Sequence, residues 1–228
     1  MTRLATNIDC VLFDLDGTLI DTAPDFYKVL NALLAEHGRE PVSRKAIEQT
    51  VSDGARALVK LGFGIEEDEP GFDALNQRLL DLYFEQLSAT ESQLYPGMAE
   101  LLSDMESSDI AWGIVTNKPE LYSKKLLQKL DLASRCRSLV CPDHVTARKP
   151  DPEPILLACS QLNRGTERTV YLGDHVRDIQ AAKNADVIAI AAAYGYLHAD
   201  SRVEEWYADF ILHDPEQARD LLELLQFN

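Results

Sequence analysis

Short apolar runs rich in β-formers recur along this chain with helical patterns between them, and that alternation restricts its folds more than any other feature. Ile8–Asp14 (IDCVLFD), Trp112–Asn117 (WGIVTN), Ser138–Cys141 (SLVC), Thr169–Asp174 (TVYLGD) and Val187–Ala191 (VIAIA) stay apolar through their length instead of alternating apolar with polar. Strands of that kind are covered on both faces, as they are in a parallel sheet. Between them, Met98–Glu106, Glu120–Leu130, Pro152–Leu162 and Asp178–Ala185 read as helices, and Asp151-Pro152 supplies a cap and a first-turn proline for the third. The pattern predicts an α/β fold, a doubly wound and mostly parallel sheet.

One region breaks the alternation. From about Ala23 to Leu94 there is no convincing strand. Phe26, Val29, Leu30, Leu33 and Leu34 form one helical stripe. Ile47 and Val51 with Ala55, Leu58 and Val59 suggest further turns, and Phe72, Leu75, Leu79, Leu82 and Tyr83 form another stripe. Gly38 and Pro41, then Gly62, Gly64, Pro70 and Gly71, punctuate them. The simplest account is a helical subdomain, 21–94, inserted after the first strand into a core made of 1–20 and 95–228. A length of 228 residues accommodates both.

Charge narrows the partners. Lys and Arg number 22 against 38 Asp and Glu, a net charge of −16, which argues against nucleic acid or an anionic membrane as partner. An anionic small molecule would need local positive charge. The longest apolar run, Val187 to Tyr196, is too short to span a bilayer. Asp9 and Asp14 interrupt the apolar stretch near the amino terminus, so no secretory leader is read there and the expected compartment is the cytoplasm. Cys10, Cys136, Cys141 and Cys159 form no CxxC pair and are read as reduced thiols; the C-x4-C spacing of Cys136 and Cys141 lacks a second zinc half-site.

Open α/β sheets bind ligands beyond the carboxyl ends of their strands. The first strand ends in Asp14-Leu15-Asp16-Gly17-Thr18 and the next in Thr116-Asn117-Lys118. A later connection carries Lys149-Pro150, and the strand before the last ends in Gly173-Asp174, followed by Asp178. Each set alone is ordinary turn chemistry, but a parallel sheet would bring all of them to one edge. In this order, DLDGT, Thr116-Asn117, Lys149 and GDHVRD resemble the four motifs of the haloacid dehalogenase superfamily over nearly the whole chain, helical cap included. Among its branches the chain looks most like the phosphoglycolate phosphatase-like phosphomonoesterases.

The resemblance implies roles. Asp14 is the nucleophile that forms an aspartyl-phosphate, and as a carboxylate it needs no activating base at neutral pH. Asp16, two residues on and so able to face the same site, protonates the leaving alkoxide and then activates water. Mg2+ is the implied cofactor, held by Asp14, Asp174 and the backbone carbonyl of Asp16, with Asp178 in support. Gly17 lets the backbone turn toward the ligand. The Thr116 hydroxyl and the Asn117 backbone N–H bind phosphoryl oxygens, and Lys149 supplies the local positive charge. Asp178 is read equally well as a helix cap. Lys118 is expected to be solvated, His175 to face solvent and Trp112 to lie in the core.

The inserted helices choose the substrate. Ser52-Asp53-Gly54-Ala55-Arg56 reads as a turn into a helix, where Arg56 either grips a second anionic group of the substrate or lies on the surface. The expected partner is a small carboxylated phosphate monoester, with phosphoglycolate placed first. SDGARAL, CPDHV and KPDPEP also resemble the N-acetylmuramic acid 6-phosphate phosphatases, whose ligand carries a lactyl carboxylate. A sugar phosphomutase and a non-catalytic binding protein on the same fold are further alternatives, and the expected assembly is a monomer or homodimer.

Overall fold

The computed structural model describes residues 8–226; the ends of the expected core segments, 1–7 and 227–228, lie outside the described residues. The main sheet contains β1 (Cys10–Phe13), β4 (Ala111–Val115), β5 (Leu139–Val140), β6 (Thr169–Gly173), β7 (Ile188–Ala192) and β8 (Phe210–Leu212), in the order β5-β4-β1-β6-β7-β8. Every pairing in it is parallel. A two-residue pair, β2 (Ile20–Asp21) and β3 (Gln93–Leu94), runs antiparallel where the chain leaves the sheet and returns to it.

The apolar runs are continuous because successive residues serve opposite layers. Val11 and Phe13 of β1 stand beside Trp112 and Ile114 of β4 and Val170 and Leu172 of β6, and all belong to one buried cluster. Cys10 and Leu12 stand beside Ala111 and Gly113 on one side and Thr169 and Tyr171 on the other. Cys10, Leu12, Ala111 and Tyr171 enter a second cluster on the opposite face. Helices α7 (Glu153–Leu162) and α8 (Val176–Asn184) cover that second face with Ile155, Ala158, Ile179 and Ala182. Helices α5 (Met98–Ser107), α6 (Glu120–Lys129) and α9 (Gln217–Gln226) contribute Leu102, Leu126 and Leu222 to the first. Burying each of the larger side chains contributes about 1.5–3 kcal/mol. Trp112 lies in this core, 1% exposed, with its indole N–H donating to Glu106 at 3.0 Å.

Between β2 and β3 stand α1 (Ala23–Glu36), α2 (Arg44–Glu48), α3 (Ala55–Phe63) and α4 (Phe72–Gln86). Their stripes pack on one another through Leu30, Leu33, Leu58, Val59 and Leu79, continuous with the first cluster. A buried carboxylate fixes the return to the sheet. Asp25 accepts from Gln86 Nε2 at 3.0 Å, Glu91 N–H at 2.9 Å and Ser92 Oγ at 2.6 Å, and also from the Thr90 hydroxyl. An unpaired buried carboxylate would be costly, so these donors tie the end of α4 to the start of α1. Most expected elements are shifted or trimmed by one or two residues: β1 begins at Cys10, β4 ends at Val115, β7 begins one residue later, and α8 begins at Val176, capped by His175. The β2–β3 pair escaped the apolar-run criterion because Asp21 and Gln93 interrupt it, and edge strand β8 because Asp209 and His213 close in its three residues.

Candidate active site

Asp14 follows β1, Thr116 follows β4 and Asp174 follows β6, so adjacent parallel strands deliver all three to one edge. Asp14, Asp174 and Asp178 each turn a carboxylate oxygen into one spot, within 4.8 Å of one another and all buried. Lys149, 2% exposed, enters from the β5–β6 connection. Its ammonium lies 2.8 Å from Asp14 Oδ1 and 2.7 Å from Asp178 Oδ1, and it also donates to the Tyr171 hydroxyl at 2.7 Å and the Val115 carbonyl at 2.9 Å. Burial pulls that ammonium down, but Asp14 and Asp178 outweigh it and hold the lysine above its ordinary value.

The arrangement leaves negative charge over. Burial pushes Asp14 up, Lys149 opposes this, and Asp178 and Asp16 add to it. Asp174 is pushed well above the carboxylate range by burial, then by Asp14 and Asp178, although the Tyr196 N–H at 2.8 Å and the Ser52 hydroxyl at 3.0 Å donate to its Oδ2. Its other oxygen, Oδ1, is buried without a hydrogen-bond partner. An orphaned oxygen among crowded carboxylates fits a hard divalent cation such as Mg2+, which takes oxygen ligands. Gly17 shapes the wall behind it: φ is +79°, and a Cβ there would sit 2.1 Å from Asp174 Oδ2. Asp178 accepts the His175 N–H at 3.1 Å as a cap and pairs with Lys149 at 2.7 Å.

Asp16 stands apart from the acid cluster. Its Oδ1 accepts from Thr22 Oγ1 at 2.6 Å and from the Lys118 ammonium at 2.8 Å. This corrects the expectation of a solvated Lys118, whose side chain is 7% exposed. Phe26 of α1 and Tyr83 of α4 stack 4.3 Å apart, and their ring centroids lie 4.9 and 4.7 Å from the Lys118 nitrogen. Burial lowers that ammonium, yet Asp16 and Tyr83 leave it above its ordinary value. Thr116 Oγ1 accepts the Lys118 N–H at 3.1 Å, which leaves its hydroxyl hydrogen for another acceptor. The Asn117 side chain donates to the Lys149 carbonyl at 3.3 Å and fixes the lysine's backbone.

The helical layer roofs a cavity of about 790 Å³ whose floor includes Asp14, Asp16, Thr116 and Lys149. The Ser52-Asp53 turn meets the sheet edge directly. Arg177 donates to the Ser52 carbonyl, and the Asp53 carboxylate faces His198 at 3.2 Å and His175 at 3.7 Å. His175, expected in solvent, has a side chain only 17% exposed and accepts the Arg177 N–H at 3.2 Å. Arg56 lines the cavity wall, but its Nε is 2.7 Å from Glu67, its Nη1 is 3.2 Å from Asp73, and its guanidinium lies 4.7 Å over the Phe72 ring. The sequence did not single out Tyr171 or Thr22, and it named Lys118 and Ser52 without giving either a role in the site. For Lys118 the available signal was its place two residues after Thr116, at the same strand end.

Residues 11–192 match the family model of the haloacid dehalogenase-like hydrolases. The chain is 45% identical over 216 residues, 95% of each chain, to an N-acetylmuramic acid 6-phosphate phosphatase of Pseudomonas aeruginosa. It is 38% identical over 207 residues, 91% of this chain and 93% of the relative, to a phosphoglycolate phosphatase of Xanthomonas campestris pv. campestris. The crystal structure of a predicted phosphoglycolate phosphatase from Haemophilus somnus superposes with a TM-score of 0.83 at 23% identity, covering 97% of this chain and 99% of that one. No helix among the described residues is long and apolar enough to cross a membrane.

Proposed function

The chain belongs to the haloacid dehalogenase-like hydrolases and is a phosphatase of that family, and on this premise we propose that it hydrolyses N-acetylmuramic acid 6-phosphate with Mg2+. The observation that carries the reaction is the buried Asp14–Lys149 pair opening onto a roofed cavity beside Asp16. Two observations favour this substrate over the phosphoglycolate that the sequence reading placed first. Identity is higher to the muramic acid enzymes, and about 790 Å³ suits an amino-sugar phosphate better than a two-carbon acid. In this reading residues 21–94 are a cap that selects the ligand, and 1–20 with 95–228 the catalytic core. The unpaired thiols of Cys10, Cys136, Cys141 and Cys159 suit the reducing cytoplasm.

An Asp14 oxygen attacks phosphorus, the bond from phosphorus to the sugar C6 oxygen breaks, and Asp16 gives that oxygen a proton. Asp16 then takes a proton from water, whose oxygen attacks the phosphorus held on Asp14. Inorganic phosphate leaves and the Asp14 carboxylate is restored. Thr22 and Lys118 hold Asp16 in one orientation through both steps. Thr116 donates to a phosphoryl oxygen, and Lys149 balances Asp14 as the phosphate arrives. Bound by Asp14, Asp174 and the Asp16 carbonyl, Mg2+ would offset the repulsion between the nucleophile and the phosphate.

The test is kcat/KM for phosphate release from a panel: N-acetylmuramic acid 6-phosphate, N-acetylglucosamine 6-phosphate, phosphoglycolate and hexose 6-phosphates, each with Mg2+ and with EDTA. The expected result is Mg2+-dependent turnover with the muramic acid ester fastest by about tenfold or more, the return on one well-placed charged contact. Phosphoglycolate leading the panel would restore the first expectation. Turnover undiminished by EDTA would remove the metal from the account.

A further inference from the structure

N-acetylmuramic acid 6-phosphate differs from N-acetylglucosamine 6-phosphate by one ether-linked lactate, so an enzyme that prefers it needs a cation for the extra carboxylate. The cations lining the cavity are Arg56, Lys60, Lys118, Arg148, Lys149 and Arg177. Most are already engaged. Lys149 is held by Asp14 and Asp178, and Lys118 by Asp16. Arg56 is bound by Glu67 and Asp73, and Lys60 by Glu66 at 2.9 Å and Glu67 at 3.4 Å. Arg177 donates to the Ser52 carbonyl and faces Asp53 at 4.0 Å. A guanidinium between two carboxylates is a poor anion receptor, because a third carboxylate must displace a partner and meet the repulsion of the other.

Arg148 is the exception. Among the described residues its side chain has no hydrogen-bond or ion-pair partner, and it is exposed at the cavity rim beside the buried Lys149. Its backbone, in contrast, is fixed. The Arg148 carbonyl accepts the Asp151 N–H at 3.0 Å, and Glu153 binds the N–H groups of Thr146 and Ala147 at 3.0 and 2.8 Å. On the far side, Asn117 holds the Lys149 carbonyl at 3.3 Å. Consecutive residues of one pinned segment thus present Lys149 to the cavity floor and a free guanidinium to its mouth. On the pyranose ring, the C6 phosphate (through C5) and the C3 lactyl ether leave from the carbons on either side of C4, so the two anionic groups diverge from a common edge.

Resting on the substrate reading above, we propose that Arg148 receives the lactyl carboxylate by a charge-assisted, two-pronged contact and selects the muramic acid ester over its glucosamine analogue. The role that the sequence suggested for Arg56 passes to Arg148, and Arg56 becomes a wall residue fixed by the acidic loop beside it.

The experiment measures the ratio of kcat/KM for N-acetylmuramic acid 6-phosphate to that for N-acetylglucosamine 6-phosphate in wild type, Arg148→Ala, Arg148→Lys and Arg56→Ala. For Arg148→Ala the ratio should fall about 10- to 100-fold, the scale of one hydrogen-bonded charge contact, with the loss on the muramic acid ester carried mainly by KM. Arg148→Lys should recover part of it, since the charge stays while the fork geometry is lost. Arg56→Ala should keep the wild-type ratio. Turnover of the glucosamine ester by each variant confirms that its site is assembled. A wild type that favours the muramic acid ester and an Arg148→Ala variant with an unchanged ratio would overturn the assignment alone. A collapse of the ratio in Arg56→Ala would return the role to that residue. A wild type with no preference would overturn both the assignment and the substrate reading.

Discussion

Asp14→Asn is expected to lower Mg2+-dependent phosphate release by roughly 10^4-fold or more, the scale on which loss of a covalent nucleophile is felt. The amide keeps the shape of the side chain but has no anionic oxygen to attack phosphorus. The same variant should fold at least as stably as wild type without metal. Three carboxylates are buried together here and one ammonium pairs with two of them, so Lys149 still has Asp178 when Asp14 is neutral. Burial raises Asp14 above its ordinary 3.8 despite Lys149. Its ionised form therefore costs stability, a cost that grows as pH rises above that value and is absent well below it. Phosphate release from p-nitrophenyl phosphate and metal-free thermal midpoints at pH 7 check the two halves. Retained turnover would end the nucleophile assignment, and a clearly lower midpoint would mean that the Lys149 pair outweighs the crowding.

Lys149→Met carries the opposite sign for stability. It removes the ammonium from among Asp14, Asp178, the Tyr171 hydroxyl and the Val115 carbonyl, and methionine offers none of them a donor. Breaking a buried ion pair from one side costs about 3–5 kcal/mol. In a chain of this length that cost is a fall in melting temperature of roughly 6–20 °C. Activity should drop by about 10²–10³-fold or more through lost charge stabilisation. Lys149→Arg should not rescue either property, because a planar fork does not fit a nest built around a compact ammonium. Urea unfolding and kcat at fixed Mg2+ measure both effects. A Met variant as stable as wild type would show that the cluster does not depend on this lysine.

Much of this was legible in the sequence, for identifiable reasons. Val11 and Phe13 serve one layer and Cys10 and Leu12 the other, so an unbroken apolar run already implied a sheet covered on both faces. In a parallel sheet the strand ends share one edge, which is why Asp14, Thr116 and Asp174 could be grouped before any coordinates. What remained hidden depends on distant contacts. Lys118 looks like any lysine after a strand, and its burial comes from Phe26 and Tyr83 on helices far away in sequence. Tyr171 reads as a core tyrosine, yet its hydroxyl is one of the oxygens around Lys149. Arg56 drew attention because it follows a glycine turn, and the acidic Glu66-Glu67 and Asp73 that occupy it were visible nearby but could be paired only through the fold. Arg148 gave no signal beyond its place before Lys149, because being free of partners is a property of the folded site.

The central claim is that phosphorus passes through Asp14, and one measurement reaches it most directly. In Asp16→Asn the second step should be slowed far more than the first when the leaving group is p-nitrophenolate, which departs without a proton. The variant, mixed with p-nitrophenyl phosphate and Mg2+ and quenched with borohydride, should release a burst of about one equivalent of nitrophenolate, the signature of an accumulating covalent intermediate. Peptide mapping should then find residue 14 reduced to homoserine. A burst with Asp14 recovered unmodified, or with the label on another carboxylate, would contradict the account.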